Sequence, residues 1–184
     1  IKGVAYFNAD DGLTGRDLWR SDGTPAGTWK VKDINTSSTN VVPDNFTELG
    51  DIFFFTSHDL THGRELWVSD GTEAGTNMLE IYAGGSGATP EYLVPLGGQL
   101  LFAASDGTHG KELWGSDGTI TGTQLIMDIR SGSGHSYPRD LAALDTYVYF
   151  RASDSSSDCE LWRTDGTDAN TALFADINPT GSSY

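Results

Sequence analysis

The stretch "GKELWGSDGTITGT" at residues 110–123 joins a short apolar segment to a long polar turn. The chain repeats it almost letter for letter as "GRDLWRSDGTPAGT" at 15–28, "GRELWVSDGTEAGT" at 63–76 and "DCELWRTDGTDANT" at 158–171. The four copies align on Trp19, Trp67, Trp114 and Trp162, which are spaced by 48, 47 and 48 residues. So regular a period indicates that one supersecondary unit is repeated four times.

Each unit contains short segments that predict β-strands. In the third unit they are "PEYLVPLG" at 90–97, "QLLFAAS" at 99–105, "KELWGS" at 111–116 and "TQLIMDI" at 123–129. The pair Gly97-Gly98 suits a two-residue hairpin turn, because glycine adopts positive φ without strain. The Asp-Gly pair of each copy suits a tight turn for a related reason, since Asp accepts backbone N–H groups. No segment shows the apolar spacing of a helix, so the chain is predicted to be all-β.

A four-stranded antiparallel unit of this length, with one tryptophan per repeat, favours a β-propeller. The blades are predicted at about 1–41, 42–88, 89–136 and 137–184. A solenoid is less consistent, because its coils are usually shorter or carry helices. The first blade lacks its opening strand, since "KGVAYF" at 2–7 corresponds to a second strand. Two arrangements stay open: a segment of a larger propeller completed by another copy or a second chain, and a four-bladed ring with one thin blade.

The repeated phrase resembles the ELWxxDGT repeat family, which is found mainly in large secreted or surface-attached proteins. Its turn is similar to the Asp-box of sialidase-type propellers, which lies away from the sialidase active site. Asp17, Thr164 and Asn170 depart from the consensus, where the other copies have Glu, Ser and Gly. The resemblance implies an extracellular or cell-surface protein. The residues expected to hold the repeat are Trp19, Trp67, Trp114, Trp162, Asp22, Asp70, Asp117 and Asp165.

Composition narrows the classes of partner. The chain has 11 Lys and Arg against 26 Asp and Glu, a formal net charge of -15. This balance argues against a nucleic-acid partner, because phosphate binding needs clustered basic residues. Apolar runs such as "IFFF" at 52–55 are too short for membrane insertion by a helix. The chain starts at Ile1, so we expect either a removed leader or a segment of a longer protein. Cys159 is the single cysteine, which excludes an internal disulfide.

The loop between the second and third strands differs among the units, and binding functions are expected where repeats differ. His62 and His109 occupy equivalent positions, each followed two residues later by a base. Together with nearby aspartates they could bind a sugar or a carboxylated ligand; the alternative is a solvated hairpin tip. The predicted ligand-binding set is His62, Arg64, His109, Lys111, Asp106 and Asp59. His58 lies four residues before His62, but a zinc site would need a third ligand.

Residues 154–160 alternate oxygen-bearing side chains in the manner of a calcium-binding loop. The candidate ligands are Asp154, Ser156, Asp158 and Glu160. The segment lacks the sharp-turn glycine of such loops, and Asp165 stands where a bidentate Glu is usual. Glu160 also belongs to an acid position filled in every repeat, with Asp17, Glu65 and Glu112. A position filled in every repeat favours an internal hydrogen-bond anchor over a ligand.

The sequence contains none of the common catalytic motifs, and paired acids alone do not define a glycosidase, which needs two at a set separation. The leading hypothesis is therefore a non-catalytic extracellular β-propeller that acts as a binding or structural module. Its expected partner is a glycan or a surface protein. No cofactor is required, and calcium is a candidate ion. The alternatives are a glycoside hydrolase or lyase with a site on the propeller axis, and a structural element of a filament or coat.

Overall fold

The computed structural model describes residues 1–34, 42–155, 159–177 and 179. The chain divides into two compact units, Ile1–Thr89 and Pro90–Tyr184. The first unit contains strands β1 (Ala5–Asp10), β2 (Arg16–Ser21), β3 (Trp29–Lys32), β4 (Asp44–Leu49), β5 (Ile52–His58), β6 (Arg64–Ser69) and β7 (Asn77–Leu79). The second contains β8 (Glu91–Leu96), β9 (Gln99–Ser105), β10 (Lys111–Ser116), β11 (Gln124–Met127), β12 (Arg139–Leu144), β13 (Tyr147–Ala152), β14 (Glu160–Thr164) and β15 (Ala172–Ala175).

The strands form four separate antiparallel sheets, and each sheet follows chain order. The first sheet has the order β1-β2-β3, the second β4-β5-β6-β7, the third β8-β9-β10-β11 and the fourth β12-β13-β14-β15. The only helical element among the described residues is a 3₁₀ turn at Asp168–Asn170. The prediction of an all-β chain built from antiparallel units is confirmed. The first sheet has three strands in the described part of the chain, because β1 corresponds to the second strand of the other sheets.

In the second and third sheets the second strand lies in the interior. In both β5 and β9 the five central residues are buried, which explains why these segments lack a regular alternation of apolar and polar residues. Gly97 and Gly98 join β8 to β9 with φ values of 57° and 93°. These are the positive values that a two-residue hairpin of this type requires.

Leucine and tryptophan of the repeated phrase pack toward different sheets. In the first unit Leu18 of the first sheet lies in one cluster with Trp67 of the second. In the second unit Leu113 of the third sheet lies with Trp162 of the fourth. Adjacent residues of a strand face opposite sides of the sheet, so the leucine packs against one face and the tryptophan against the other. A buried Trp covers about 150–250 Å², equivalent to about 4–6 kcal/mol before entropy is subtracted.

A β-bulge explains why one repeat is a residue shorter. The pairing of third and fourth strands shifts register between Leu18 and Trp19 in the first sheet, and at the same Leu-Trp step in the third and fourth sheets. The β6–β7 ladder has no such shift. Its fourth segment, "TNMLEI" at 76–81, has six residues where "TQLIMDI" has seven. The interval of 47 residues therefore reflects the loss of the bulge residue from β7.

The Asp-Gly turn is held by the same hydrogen bonds in every copy. In the second sheet the Asp70 Oδ1 accepts the backbone N–H and the hydroxyl of Thr72, at 2.9 and 2.7 Å. The Ser69 and Thr76 hydroxyls lie 2.7 Å apart and close the base of the hairpin. These bonds hold the pKa of Asp70 below its usual value, chiefly through the Thr72 hydroxyl. The carboxylate thus remains an acceptor for the turn.

Asn170 replaces a glycine in the fourth copy without disturbing this turn. A Cβ at the equivalent Gly75 would lie 2.1 Å from Asp70 Oδ1, so the second copy requires glycine. In the fourth copy the 3₁₀ turn carries Asn170, and its amide donates to Asp165 Oδ2 at 2.8 Å. In the fourth copy, therefore, a side-chain hydrogen bond replaces the close backbone approach that requires glycine in the second copy.

No helix in the described ranges is long and apolar enough to span a membrane.

Candidate functional site

In each repeat a buried acid accepts hydrogen bonds from the backbone of the segment that follows the sheet. The Glu112 carboxylate accepts the backbone N–H of Ile129 at 2.9 Å and that of Ser136 at 2.8 Å. It also accepts the Ser136 hydroxyl at 2.5 Å. Glu112 is fully buried, and burial raises its pKa to about 7, against the effect of these donors. These hydrogen bonds fix the path of the chain from the third sheet into the fourth.

The equivalent acids make the same kind of contact. Glu65 accepts the N–H groups of Ile81 and Ala88, at 3.0 and 2.9 Å. Asp17 accepts that of Ile34 at 3.1 Å, and Glu160 that of Ile177 at 2.6 Å. All of these carboxyl groups are buried. They serve as internal hydrogen-bond anchors, the role that their repetition in the sequence predicts.

The two loop histidines are each held by an aspartate of their own loop. Nδ1 of His62 lies 2.5 Å from Asp59 Oδ2, and Nδ1 of His109 lies 2.7 Å from Asp106 Oδ2. Each aspartate also accepts the backbone N–H of its histidine. The hydrogen bond that each aspartate accepts raises the pKa of its histidine. The loops are therefore closed on themselves, with about a third of each histidine side chain exposed.

A lysine takes the place of these histidines in the first repeat. Thr14 stands at the histidine position, and Lys30 reaches the loop from β3. Its Nζ lies 3.0 Å from Asp11, 3.2 Å from Asp17 and 4.0 Å from Asp33. The corresponding acids Asp59, Glu80 and Glu65 raise the pKa of His62, and Asp106, Asp128 and Glu112 raise that of His109. In these three repeats a lysine or a histidine thus lies near the loop acid, the anchor acid and the acid that closes the unit.

The two bases that follow the histidines, Arg64 and Lys111, pair with acids of the opening strands and not with the loop aspartates. The Arg64 guanidinium donates to Asp44 and to the Thr56 hydroxyl. Lys111 Nζ lies 2.9 Å from Glu91 Oε2. Asp44 and Glu91 begin β4 and β8, the opening strands of their sheets. The predicted grouping of histidine, base and aspartate is therefore divided between a closed loop and an ion pair to the opening strand.

The candidate metal ligands are only partly within the described ranges. Asp154 is exposed, and Glu160 is buried against the Ile177 N–H. Ser156 and Asp158 lie outside the described residues. His58 accepts the Leu60 N–H through Nδ1, at 3.0 Å. Within the described ranges no three His, Cys, Asp or Glu side chains are grouped so as to hold a metal ion.

The second unit contains a cleft of about 130 Å³ between the opening strands of its two sheets. We call it the opening-strand cleft. Its lining residues are Glu91, Tyr92, Lys111, Tyr137, Pro138 and Arg139. It lies at the end of the sheets that carries the β9–β10 loop, since Lys111 directly follows that loop and Glu91 and Arg139 begin their strands.

Two exposed tyrosines flank the cleft. Tyr92 is 44% exposed and Tyr137 is 54% exposed. Their φ values of 56° and 50° are unusual for bulky residues. The backbone conformation itself belongs to the repeat, because Asn45 and Asp140 share it at the position of Tyr92. What distinguishes this cleft is that the shared geometry presents two aromatic rings to solvent.

Tyr137 is positioned by the anchor acid of the third sheet. Glu112 binds Ser136, the residue before Tyr137, and the Lys111 carbonyl accepts the Tyr137 N–H at 3.2 Å. The His135 ring stacks on Tyr137 with centroids 5.0 Å apart, and its Nδ1 accepts the Lys111 N–H at 2.8 Å. These contacts tie Tyr137 to the strand that carries Lys111. The backbone of Tyr137 is therefore fixed by the third sheet, and its ring packs on that of His135.

Arg139 reverses the charge pattern of the other opening strands. Where β4 and β8 begin with an acid that faces a base, β12 begins with Arg139, and Cys159 stands at the position of the base. The guanidinium Nη2 lies 3.2 Å from Cys159 Sγ. Its Nε is buried and lacks a hydrogen-bond partner among the described residues. Cys159 thus occupies the repeat position that Arg64 and Lys111 fill in the second and third sheets.

Sequence reasoning located Lys111 but missed the rest of the cleft. Tyr92 and Tyr137 are 45 residues apart and come from different repeats, so only the packing of two sheets brings them together. A signal was present, because aligned repeats have Asn45, Tyr92 and Asp140 at one position and a tyrosine before the opening proline only at Tyr137.

Comparison with known proteins gives a fold and no family. No protein-family model matches the chain, and no curated protein sequence matches it. A solved structure from an analysis of two prolyl endopeptidases aligns with 96% of this chain and 26% of its own, at 13% identity and a TM-score of 0.60. A structure of puromycin hydrolase, the S511A mutant complexed with PGG, aligns with 96% and 28%, at 14% identity and a TM-score of 0.58. The chain spans about a quarter of the length of these structures, and at such identity the likeness is one of fold alone.

Proposed function

We propose that this chain is a β-propeller segment of the ELWxxDGT repeat type that acts as a non-catalytic carbohydrate-binding module on an extracellular or cell-surface protein. Four antiparallel sheets, one per repeat, support the propeller assignment. So does the packing of Leu and Trp toward different sheets. The surface location rests on the resemblance of the repeated phrase.

The observation that carries the binding proposal is the opening-strand cleft. Sugars are recognised by exposed aromatic faces together with charged or amide groups that bind hydroxyls. Tyr92 and Tyr137 supply the aromatic surface, and Lys111, Glu91 and Arg139 supply donors and acceptors beside it. Small-ligand sites commonly combine an apolar or aromatic wall with a few placed polar groups.

The repeated acids are poorly placed for catalysis. Glu65 and Glu112 are buried and accept backbone N–H groups within their own sheets. A glycosidase needs two carboxyl groups free to act on either side of the scissile bond. Acids committed to the scaffold cannot supply that pair.

The test is carbohydrate binding by the intact chain and by two ring-deletion variants, Tyr92→Ala and Tyr137→Ala. A glycan array selects the ligand, and titration calorimetry measures its affinity. We expect each variant to bind about tenfold more weakly, which corresponds to about 1.4 kcal/mol. Trp29→Ala, which removes an aromatic side chain of similar exposure in the first unit, should leave the affinity unchanged. An array without binding to any carbohydrate would remove the proposal.

A further inference from the structure

The opening-strand cleft carries a local excess of positive charge, and we propose that it selects sugars that bear a carboxylate, with Arg139 as the group that binds it. This inference rests on the proposed carbohydrate-binding function and names the ligand class of the same cleft.

Among the charged side chains that line the cleft, Arg139 is the one that makes no ion pair with a carboxylate of the described residues. Three of the lining side chains are charged, namely Lys111, Arg139 and Glu91. Lys111 and Glu91 neutralise each other across 2.9 Å. Asp140, the next residue after Arg139, is engaged by Arg151 at 2.6 Å. Arg139 itself makes no ion pair with a carboxylate of the described residues and is bound to a thiol sulfur instead.

This arrangement departs from that of the equivalent contacts in the other repeats. The opening strands of the second and third sheets pair an acid with a base at the equivalent contact, where Asp44 faces Arg64 and Glu91 faces Lys111. In the fourth sheet Arg139 and Cys159 occupy that contact, so the base there faces a thiol instead of a carboxylate. A ligand carboxylate would restore the acid–base pair that the other repeats make internally.

A guanidinium is suited to a carboxylate by shape as well as by charge. Its planar array of N–H donors binds the two carboxylate oxygens together, which an ammonium group cannot do. Tyr92 and Tyr137 would hold the sugar ring beside it, and the Lys111–Glu91 pair would bind hydroxyls. The tyrosines would thus contact the sugar ring, while Arg139 would bind its carboxylate.

The experiment compares carboxylated sugars with neutral counterparts on the intact chain. The carboxylated probes are oligogalacturonate, a hyaluronan tetrasaccharide and sialyllactose; the neutral ones are methyl-esterified oligogalacturonate and lactose. We expect at least one acidic probe to bind about 10- to 100-fold more tightly than its neutral counterpart. Arg139→Gln should reduce this preference to near unity, and Arg139→Lys should restore it only in part.

A matched variant separates site recognition from general charge. Arg163→Gln makes the same change of net charge on β14, where Arg163 packs over Tyr147 and Phe174 at 4.8 and 5.1 Å. It should retain the full preference for acidic probes. Circular dichroism spectra of both variants establish that each is folded before binding is compared.

The outcomes distinguish this inference from the proposed function. Equal binding of acidic and neutral sugars, lost in the tyrosine variants, would overturn the carboxylate inference and leave the carbohydrate proposal standing. Loss of the acidic preference in Arg163→Gln as well as in Arg139→Gln would also overturn it, because bulk electrostatics would then explain the selectivity. Absence of binding to every sugar would overturn both.

Discussion

Glu112 shows how one buried side chain links the repeat to the candidate site. Its carboxylate holds Ser136, and Ser136 precedes the exposed Tyr137. A residue at a position filled in every repeat can therefore influence a feature found in only one. The same logic makes the anchor acids poor candidates for catalysis and good candidates for stability.

We expect Glu112→Gln to destabilise the protein by about 1–3 kcal/mol, because an amide places N–H donors against the donors of Ile129 and Ser136 and leaves one unsatisfied. The penalty should depend on pH. With its pKa raised to about 7, the folded acid keeps a proton that the unfolded chain, at a pKa of 4.5, has released. Its contribution to stability therefore falls as pH rises from 4.5 to 7.

Urea unfolding of both proteins at several pH values between about 4.5 and 8 measures this effect. The difference in unfolding free energy between the native chain and the variant should narrow as the pH rises. Glu73→Gln removes one exposed acid of the second sheet and controls for the change in charge. A difference that widens with pH would mean that the backbone donors outweigh burial and lower the pKa of Glu112.

At the scale of the element, the loop between the second and third strands holds a basic side chain against its own aspartate. Lys30 in the first repeat and the histidines in the next two lie against a loop aspartate and near the same set of acids. A lysine remains charged across the neutral range, whereas a histidine does not. The repeats thus share a structure but differ in how it responds to pH.

We expect the loops of the second and third sheets to loosen as pH rises above neutrality. Because the aspartates raise the pKa of His62 and of His109 in the folded state, their stabilising effect is complete below about 6.5 and is lost as pH passes the raised value. Amide exchange of both loops, followed by NMR between about pH 5.5 and 8.5, should accelerate beyond the intrinsic rate. The β1–β2 loop, with Lys30, should not.

Variants make the assignment specific. His62→Gln and His109→Gln should each remove the pH dependence from their own loop only, and His58→Gln, in the same loop as His62, should leave it intact. Loops that exchange at the intrinsic pH dependence in the native chain would show that the histidine–aspartate contact contributes nothing to their closure.

Elements of this chain could be predicted closely because their signals are local. The Asp-Gly and Gly-Gly pairs mark hairpins through backbone preference, and apolar runs mark interior strands. Both signals are contained within a few residues, as in β9 and β10. The bulges were not predicted, since they arise from register between strands, and the cleft was not predicted, since Tyr92 and Tyr137 meet only after two sheets pack. The predicted roles of His62 and His109 in ligand binding stay predictions.

At the scale of the whole molecule, regularity and variation carry different information. Buried positions repeat, as Leu18, Leu66 and Leu113 do, because each sheet must present the same surfaces to its neighbours. The first residues of the opening strands vary, and there the second unit presents a positively charged cleft. A uniform scaffold with one distinctive edge is consistent with a binding module whose specificity lies in a single repeat contact.

The net charge of -15 sets the final prediction. Since acids outnumber bases by more than two to one, most carboxylates of the chain cannot be paired, and their mutual repulsion opposes folding. We therefore expect the thermal midpoint at neutral pH to rise when NaCl is increased from about 0.02 to about 0.5 M, because salt screens charges separated by more than about 10 Å at 0.1 M. Glu73→Gln should raise the midpoint slightly at low salt and have no effect at high salt, since that side chain is exposed and makes no ion pair among the described residues. Calorimetric scans of both proteins across the salt series measure this, with NaCl and KCl compared to exclude a specific cation. A midpoint that falls with salt would show instead that ion pairs such as Lys30 with Asp11 and Asp17 outweigh the repulsion of the acidic surface.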